Sequence, residues 1–275
     1  MPAAAVSDRM RAFRLAYDGT GYRGFQRQPH GETVEDALLA ALGALGVADG
    51  PPPGYAAAGR TDAGVSARAQ TVAFEAPEWL QPRALNAELP ADVRAWAAAD
   101  VDDEFHATHD AASRRYRYFL FAPEADDGRA AEACRRLSGR GDFHNLTPDE
   151  TGTVRELTAT VERDGPFLVV DCRAGGFARQ LVRRLVSVVG AVARGRRDPG
   201  FVGRVQAAEP LDGPDGVAPA APEPLVLTGV RYPSVAFDVD PEAAESAREV
   251  FGERRRRRHA GARVAGTLST AGEDR

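Results

Sequence analysis

No lysine occurs anywhere in this 275-residue chain; all 35 of its Lys/Arg cations are arginine. Such an all-arginine, alanine-rich composition fits either a GC-rich genome or a salty cytoplasm. Cysteine is nearly absent too. Cys134 and Cys172 lack CxxC spacing, which excludes a disulfide framework and leaves them as buried small hydrophobes. Among the five histidines only His106 and His109, in "FHATH", have ligand-like spacing, and no cysteine stands beside them, so no metal site is expected. No segment offers the roughly 18 uninterrupted apolar residues of a membrane span, and the start, "MPAAAVSDRMRAF", lacks the basic and apolar stretches of a targeting signal. The expectation is a cytoplasmic protein that binds no membrane.

Net positive charge is also missing. A formal charge of −5 argues against a protein that coats a polyanion, but distribution matters more than the sum. Arginines bunch in "SRRYRY", "FARQLVRRL", "ARGRR" and "ERRRRR", while acids concentrate in 99 to 110 and 236 to 253. Hydrophobic residues at 43% and charged ones at 27% exclude disordered and fibrous classes, and the length allows one large domain or two ordinary ones.

The hydrophobic periodicities alternate between strand and helix. "RAFRLAYDG" places Phe13, Leu15 and Tyr17 on one strand face and ends in an Asp-Gly turn; Thr33 caps a helix with Val34, Leu38 and Leu42 at helical spacing. "AQTVAFEA" reads as a strand, 82 to 89 as a short helix, and "LPADVRAWAAA" as extended. A second unit opens with "RRYRYFLF", where Tyr116 and Tyr118 share one face and Arg115 and Arg117 the other. A helix over 128 to 138, a hairpin turned at Asp164-Gly165 and a long apolar-striped helix in "GFARQLVRRLVSVVGAVARG" follow, then a short helix after Asp198-Pro199 and a last strand in "LVLTGVRYP". The expected fold class is α+β, with an N-terminal unit over 1–104, a C-terminal unit over 105–238 and an acidic, then Arg-rich, partly disordered tail over 239–275.

Three stretches carry chemistry. In "AAAGRTDAGVSARAQ" (56 to 70), Asp62 is either a turn residue bonding nearby amides or a carboxylate held charged by cations such as Arg60. The glycines at 59 and 64 are expected to make the tight bend that frees its side chain. "SRRYRY" is either a solvated strand or a stacking platform, in which rings take unstacked bases and interleaved arginines take phosphates. "FARQLVRRL" is a solvated helix face or a basic surface, and "ERRRRR" a flexible tail with non-specific attraction to polyanions.

Taken in order, these pieces resemble the tRNA pseudouridine synthase A (TruA) family. "AYDGTGYRGFQRQ" is similar to its Y-D-G…Y-x-G-W-Q-R-Q element, "AAGRTDAGVSARAQTVAF" to its G-R-T-D-A-G-V-H motif, and "LNAELPADVR" to L-N-x-x-L-P-x-D-I. "FHATHDAASRRYRYFLF" resembles F-H-A-R…A-x-x-R-x-Y-R-Y, and "GGFARQLVRRLVSVVGAVARG" resembles F-x-x-x-M-V-R-x-I-V-G, so the likeness spans about residues 10 to 235. Ser66 stands where histidine is common, Phe25 replaces tryptophan, Arg184 takes a usual asparagine position, and "PLVLTGVRYP" follows its motif only loosely.

The resemblance implies a pseudouridine synthase fold of two sheet-plus-helix units side by side with a central cleft. It implies a catalytic Asp62 with Arg60 beside it and Arg183 paired to it, Tyr116 against the target base, and conversion of uridine in the anticodon stem-loop at tRNA positions 38 to 40. It further implies a homodimer with tRNA as partner and no cofactor. Arg115, Arg117, Arg179 and Arg184 are expected to meet RNA. A non-catalytic RNA-binding protein on the same fold is the alternative, and a small-molecule enzyme using Asp62 as base a third reading.

Overall fold

The structure, a computed structural model, describes residues 8–211 and 213–271; residues 1–7, 212 and 272–275, which include the start of the N-terminal stretch and the end of the expected tail, lie outside the described residues. One sheet of ten strands runs through the whole molecule. Its strands are β1 (Arg9–Tyr17), β2 (Ala56–Ala57), β3 (Ser66–Ala76), β4 (Val93–Asp100), β5 (Ser113–Phe121), β6 (Gly139–Asp142), β7 (Val154–Asp164), β8 (Phe167–Ala174), β9 (Leu225–Arg231) and β10 (Asp238–Val239). The order across the sheet is β10-β4-β1-β3-β9-β5-β8-β7-β6, with β2 pairing onto β3. Among the described residues six α-helices accompany it: α1 (Val34–Ala44), α2 (Pro82–Glu88), α3 (Asp127–Leu137), α4 (Leu181–Ala193), α5 (Phe201–Val205) and α6 (Pro241–Ser269). The class is α+β.

The sheet is continuous, but the apolar core is double. In the first core Phe13 of β1 stacks on Phe74 of β3 at 5.1 Å, under Val34, Leu38 and Leu42 of α1. The second core packs Leu185, Val186 and Val189 of α4 with Leu137 of α3 against Leu168 and Val170 of β8. Each fully buried side chain of this size contributes about 1.5–3 kcal/mol. Cys134 and Cys172 lie in the second core as buried free thiols.

Local signals explain most of the elements. Thr33 and Asp36 exchange bonds in a complete capping box at the head of α1. Asp164 and Phe167 close the β7-β8 hairpin across Gly165, whose φ of 54° is the left-handed region glycine tolerates. The two units expected side by side are joined by β9. It runs antiparallel to β5 and meets β3 in a parallel register of only two pairs, Ser66 with Val226 and Ala67 with Leu227.

The expected partly disordered tail differs most from what forms. Residues 241–269 are a single helix, α6, laid on β4 and α2 at its first part. Asp240 caps it by accepting from the amides of Glu242 and Ala243, and Pro241 takes the first turn. Glu242 in the first turn suits the positive end of the helix dipole, and Glu245–Arg248, Glu253–Arg256 and Glu253–Arg257 pairs tie successive turns.

Candidate active site

The loop entering β3 is held from all sides. The Ala58 amide donates to the Thr71 carbonyl at 2.8 Å, and the Gln70 side chain donates to the Gly59 carbonyl at 2.7 Å. The Tyr17 hydroxyl and the Thr61 hydroxyl meet at 2.8 Å, and the Phe25 amide donates to the Thr61 carbonyl at 3.1 Å. Asp62 to Val65 close a turn through the Val65 amide and the Asp62 carbonyl, with Gly64 at φ 81°, the positive angle a type II turn requires at its third residue. Gly59 is different: its φ is not positive and a Cβ there would meet nothing within 4 Å, so only Gly64 serves the bend.

With the turn closed by backbone alone, the Asp62 carboxylate accepts no backbone amide. Its partner is Arg183 on α4, whose Nη1 donates to Oδ2 at 3.0 Å. The Arg183 Nε donates to the Ala220 carbonyl at 2.7 Å, and the Ala220 amide returns a bond to the Arg183 carbonyl, so the guanidinium is oriented before it reaches the carboxylate. Arg183 is 13% exposed and Asp62 29%, which leaves the carboxylate open to a cleft of 1580 Å³.

Tyr116 of β5 lines the same cleft, with Phe177 edge-on at 5.2 Å and 87°. Burial pushes its phenol up to about 12, helped by the nearby Asp62 charge and opposed by Arg114. The site therefore sets a carboxylate, a fixed guanidinium and a neutral aromatic ring around a space large enough for a nucleotide. Among the described residues no group of three or more His, Cys, Asp or Glu is placed to hold a metal, and no helix is long and apolar enough to cross a membrane.

Sequence comparison decides the family. The family described as tRNA pseudouridine synthase matches residues 133–233. The tRNA pseudouridine synthase A of Natronomonas pharaonis is 72% identical over 264 residues, covering 94% of this chain and 99% of the relative. That of Haloarcula marismortui is 59% identical over 268 residues (93% and 98%), and that of Methanocella arvoryzae 38% over 241 residues (86% and 89%). The chain belongs to the tRNA pseudouridine synthase A family. It is therefore a pseudouridine synthase, an isomerase, of a family whose work is tRNA modification. The likeness to a solved Cbf5-Nop10-Gar1 complex is slight, with TM-score 0.36 and 12% identity over 66% of this chain and 45% of that one.

Within this tRNA pseudouridine synthase A chain, the residues expected at the site divide. Asp62, Arg183 and Tyr116 converge, and Arg60 lines the cleft, exposed and without a hydrogen bond or ion pair among the described residues. Arg179 also lines it, paired to Asp149 at 3.3 Å. Arg115 and Arg117 do not: they lie on the other face of β5, both bound to Asp171, at 3.0 and 2.8 Å. Arg184 is turned away from the cleft, donating to the Val217 carbonyl and to Gln180 Oε1. One residue of "SRRYRY" that sequence reading passed over is central. Arg114, on the Tyr116 face by simple alternation, donates to the carbonyls of Ala58, Thr108, Ala111 and Gly175 and ties the Asp62 loop to the second unit.

Ser66 has a structural role, its Oγ accepting from the Gly19 amide at 3.0 Å. Gln180, at the head of α4 and on the cleft wall, has φ 61°, an uncommon angle for a non-glycine residue that its sequence does not announce.

Proposed function

We propose that this enzyme converts uridine to pseudouridine in the anticodon stem-loop of tRNA, at tRNA positions 38 to 40, with Asp62 as its essential group. The observation that supports this reading most is the Asp62 carboxylate, left free by its own turn and paired with Arg183 in the cleft. In the reaction the N1–C1′ bond breaks, the uracil turns in place, and C5 bonds to the same C1′. N1 gains a proton and C5 gives one up, so nothing is added or lost. Hydrolysis of a glycosidic bond uses two carboxylates because one must handle water; here one carboxylate suffices, because water takes no part. Asp62 acts at the sugar, either by attack on C1′ or by removal of a ribose proton to give a glycal.

A uridine in a stem must leave its stack to reach a carboxylate at the cleft floor, at a cost of about a few kcal/mol. Stacking on Tyr116 returns about 1–3 kcal/mol per base. Arg183 keeps the carboxylate charged when the nucleotide displaces water, and Arg60 and Arg179 at the cleft supply cations for phosphates. The reading includes a cytoplasmic homodimer that needs no cofactor. To test it, purified protein and the Asp62→Ala variant are incubated with tRNA transcripts and pseudouridine is mapped. Conversion at positions 38 to 40 by the first alone supports the proposal; equal conversion by both removes Asp62 from it.

A further inference from the structure

The five-arginine run is divided by the helix it lies in. Arg254 and Arg258, one turn apart, both reach Asp18 Oδ2, at 2.6 and 2.5 Å, and Arg258 also reaches the Thr20 hydroxyl at 3.2 Å. Asp18 is buried, and the loop it opens rims the cleft: Gly19 is held by Ser66, the Gly64 amide donates to the Tyr22 carbonyl, and Arg23 and Gln26 line the cavity. This clamp fixes the rotation of α6 against the loop whose continuation lines the cleft. From Arg255 onward every described residue of α6 is exposed, and past the Arg258 anchor the helix runs on from the body for about 16 Å.

The stretch from Arg254 onward is chemically one-sided. Between residues 254 and 271 there are six arginines and no acid, on a chain whose net charge is −5. Arg255, His259 and Arg263 recur at four-residue spacing, which makes a stripe about 12 Å long on one helix face. Arg255 and Arg263 have no side-chain partner among the described residues, and Arg257, 80% exposed, has only the exposed Glu253, a pair worth little in water. Exposed, unpaired arginines on an otherwise acidic protein, on a helix anchored to a loop that reaches the tRNA cleft, have the charge and spacing to follow a phosphate backbone.

We propose that the exposed, arginine-rich end of α6 is an RNA-phosphate arm that holds the body of the tRNA outside the stem-loop entering the cleft. The inference rests on the reading that tRNA is the substrate. The test compares wild type with the triple variant Arg255→Gln, Arg257→Gln, Arg263→Gln on a full-length tRNA transcript and on a short stem-loop bearing the same uridine. Affinity for the full-length transcript is measured by direct binding at several salt concentrations, and conversion on both substrates is followed.

The expected result is about a tenfold loss of affinity for full-length tRNA, a log-log salt slope shallower by about 2–3, and stem-loop conversion retained. Unchanged full-length affinity and slope, or equal losses on both substrates, would overturn the arm. A further arm of the test uses vesicles of anionic phospholipid: if the variant loses vesicle binding but keeps tRNA binding, the stripe is a membrane-surface element and the proposal fails. Wild-type conversion of the uridine reports on the proposed function separately, and the salt slope of the arm is read from binding without it.

Discussion

Arg183 of α4 and Asp62 of the loop before β3 meet at 3.0 Å across 121 positions of sequence, and the contact joins the two cores at the cleft. Among the described residues the carboxylate has no other hydrogen-bonded side-chain partner, so the guanidinium sets its direction. Replacing Arg183 with methionine is expected to lower kcat by about 100-fold, the scale of a reacting group displaced by about an ångström, with a smaller change in KM. Single-turnover rates at saturating tRNA measure it, and a loss confined to KM would place Arg183 in RNA binding instead.

Tyr116 separates stacking from its hydroxyl. Tyr116→Ala is expected to cost about 1–3 kcal/mol in kcat/KM, the worth of one stacked base, and Tyr116→Phe clearly less. Because burial and then the Asp62 charge push the phenol up to about 12, it stays protonated through neutral and mildly alkaline pH. The rate profile should therefore show no alkaline limb from this residue below about pH 11. A limb near pH 9 that vanishes in Tyr116→Phe would contradict the assignment.

The two glycines flanking the motif should behave oppositely. A Cβ at Gly64 would sit 2.9 Å from Pro222 Cγ at φ 81°, so Gly64→Ala is expected to destabilise by about 1–3 kcal/mol. Gly59→Ala should leave the melting temperature unchanged, because nothing lies within 4 Å of the added carbon. Thermal melts of the two variants decide this directly.

Asp18 links stability to acid. Burial alone would raise its pKa, but bonds from Arg254 and Thr20 and the charge of Arg258 outweigh it and hold the carboxyl below its ordinary value of 3.8. A pKa depressed by folding means stability that is present above about pH 4 and lost as pH falls through the folded value. Asp18→Asn is expected to be less stable at pH 7 by about 1–3 kcal/mol, discounted for the exposure of both arginines, with a shallower acid limb. Urea titrations from pH 7 to pH 3 test both parts; a parallel offset at every pH would refute the linkage.

Local rules made much of this molecule readable. The Thr33 cap, the Asp164-Gly165 hairpin and the apolar stripe of α4 are short-range signals, and each formed where its residues stand. The convergence of Asp62, Tyr116 and Arg183 was legible only through motif resemblance, since nothing in spacing tells which loop meets which helix across 121 residues. Alternation placed Arg115 and Arg117 opposite Tyr116, but not the Asp171 on β8 that occupies both. Arg114 went unread because its worth lies in carbonyls, those of Ala58 and Gly175 supplied by segments far along the chain and those of Thr108 and Ala111 by its own approach loop. The acidic part of 241–269 reads as helix-like in the sequence, but that the helix continues through the arginine run to Ser269 does not, because a run of like charges carries no helical period of its own.

The short parallel seam of β9 on β3 also orders events during synthesis. By residue 100 the ribosome has delivered β1, β3 and β4, and by residue 174 the strands β5, β7 and β8, while β9 comes after them and adds Leu227 and Val230 to the first core and Leu225 to the second. Residues 225–231 must emerge before one sheet exists, and only then does the Asp62 loop face the helix that bears Arg183. A chain stalled before that point lacks the strand that completes both cores and sets them side by side, so activity is expected to appear only once that last core strand is made.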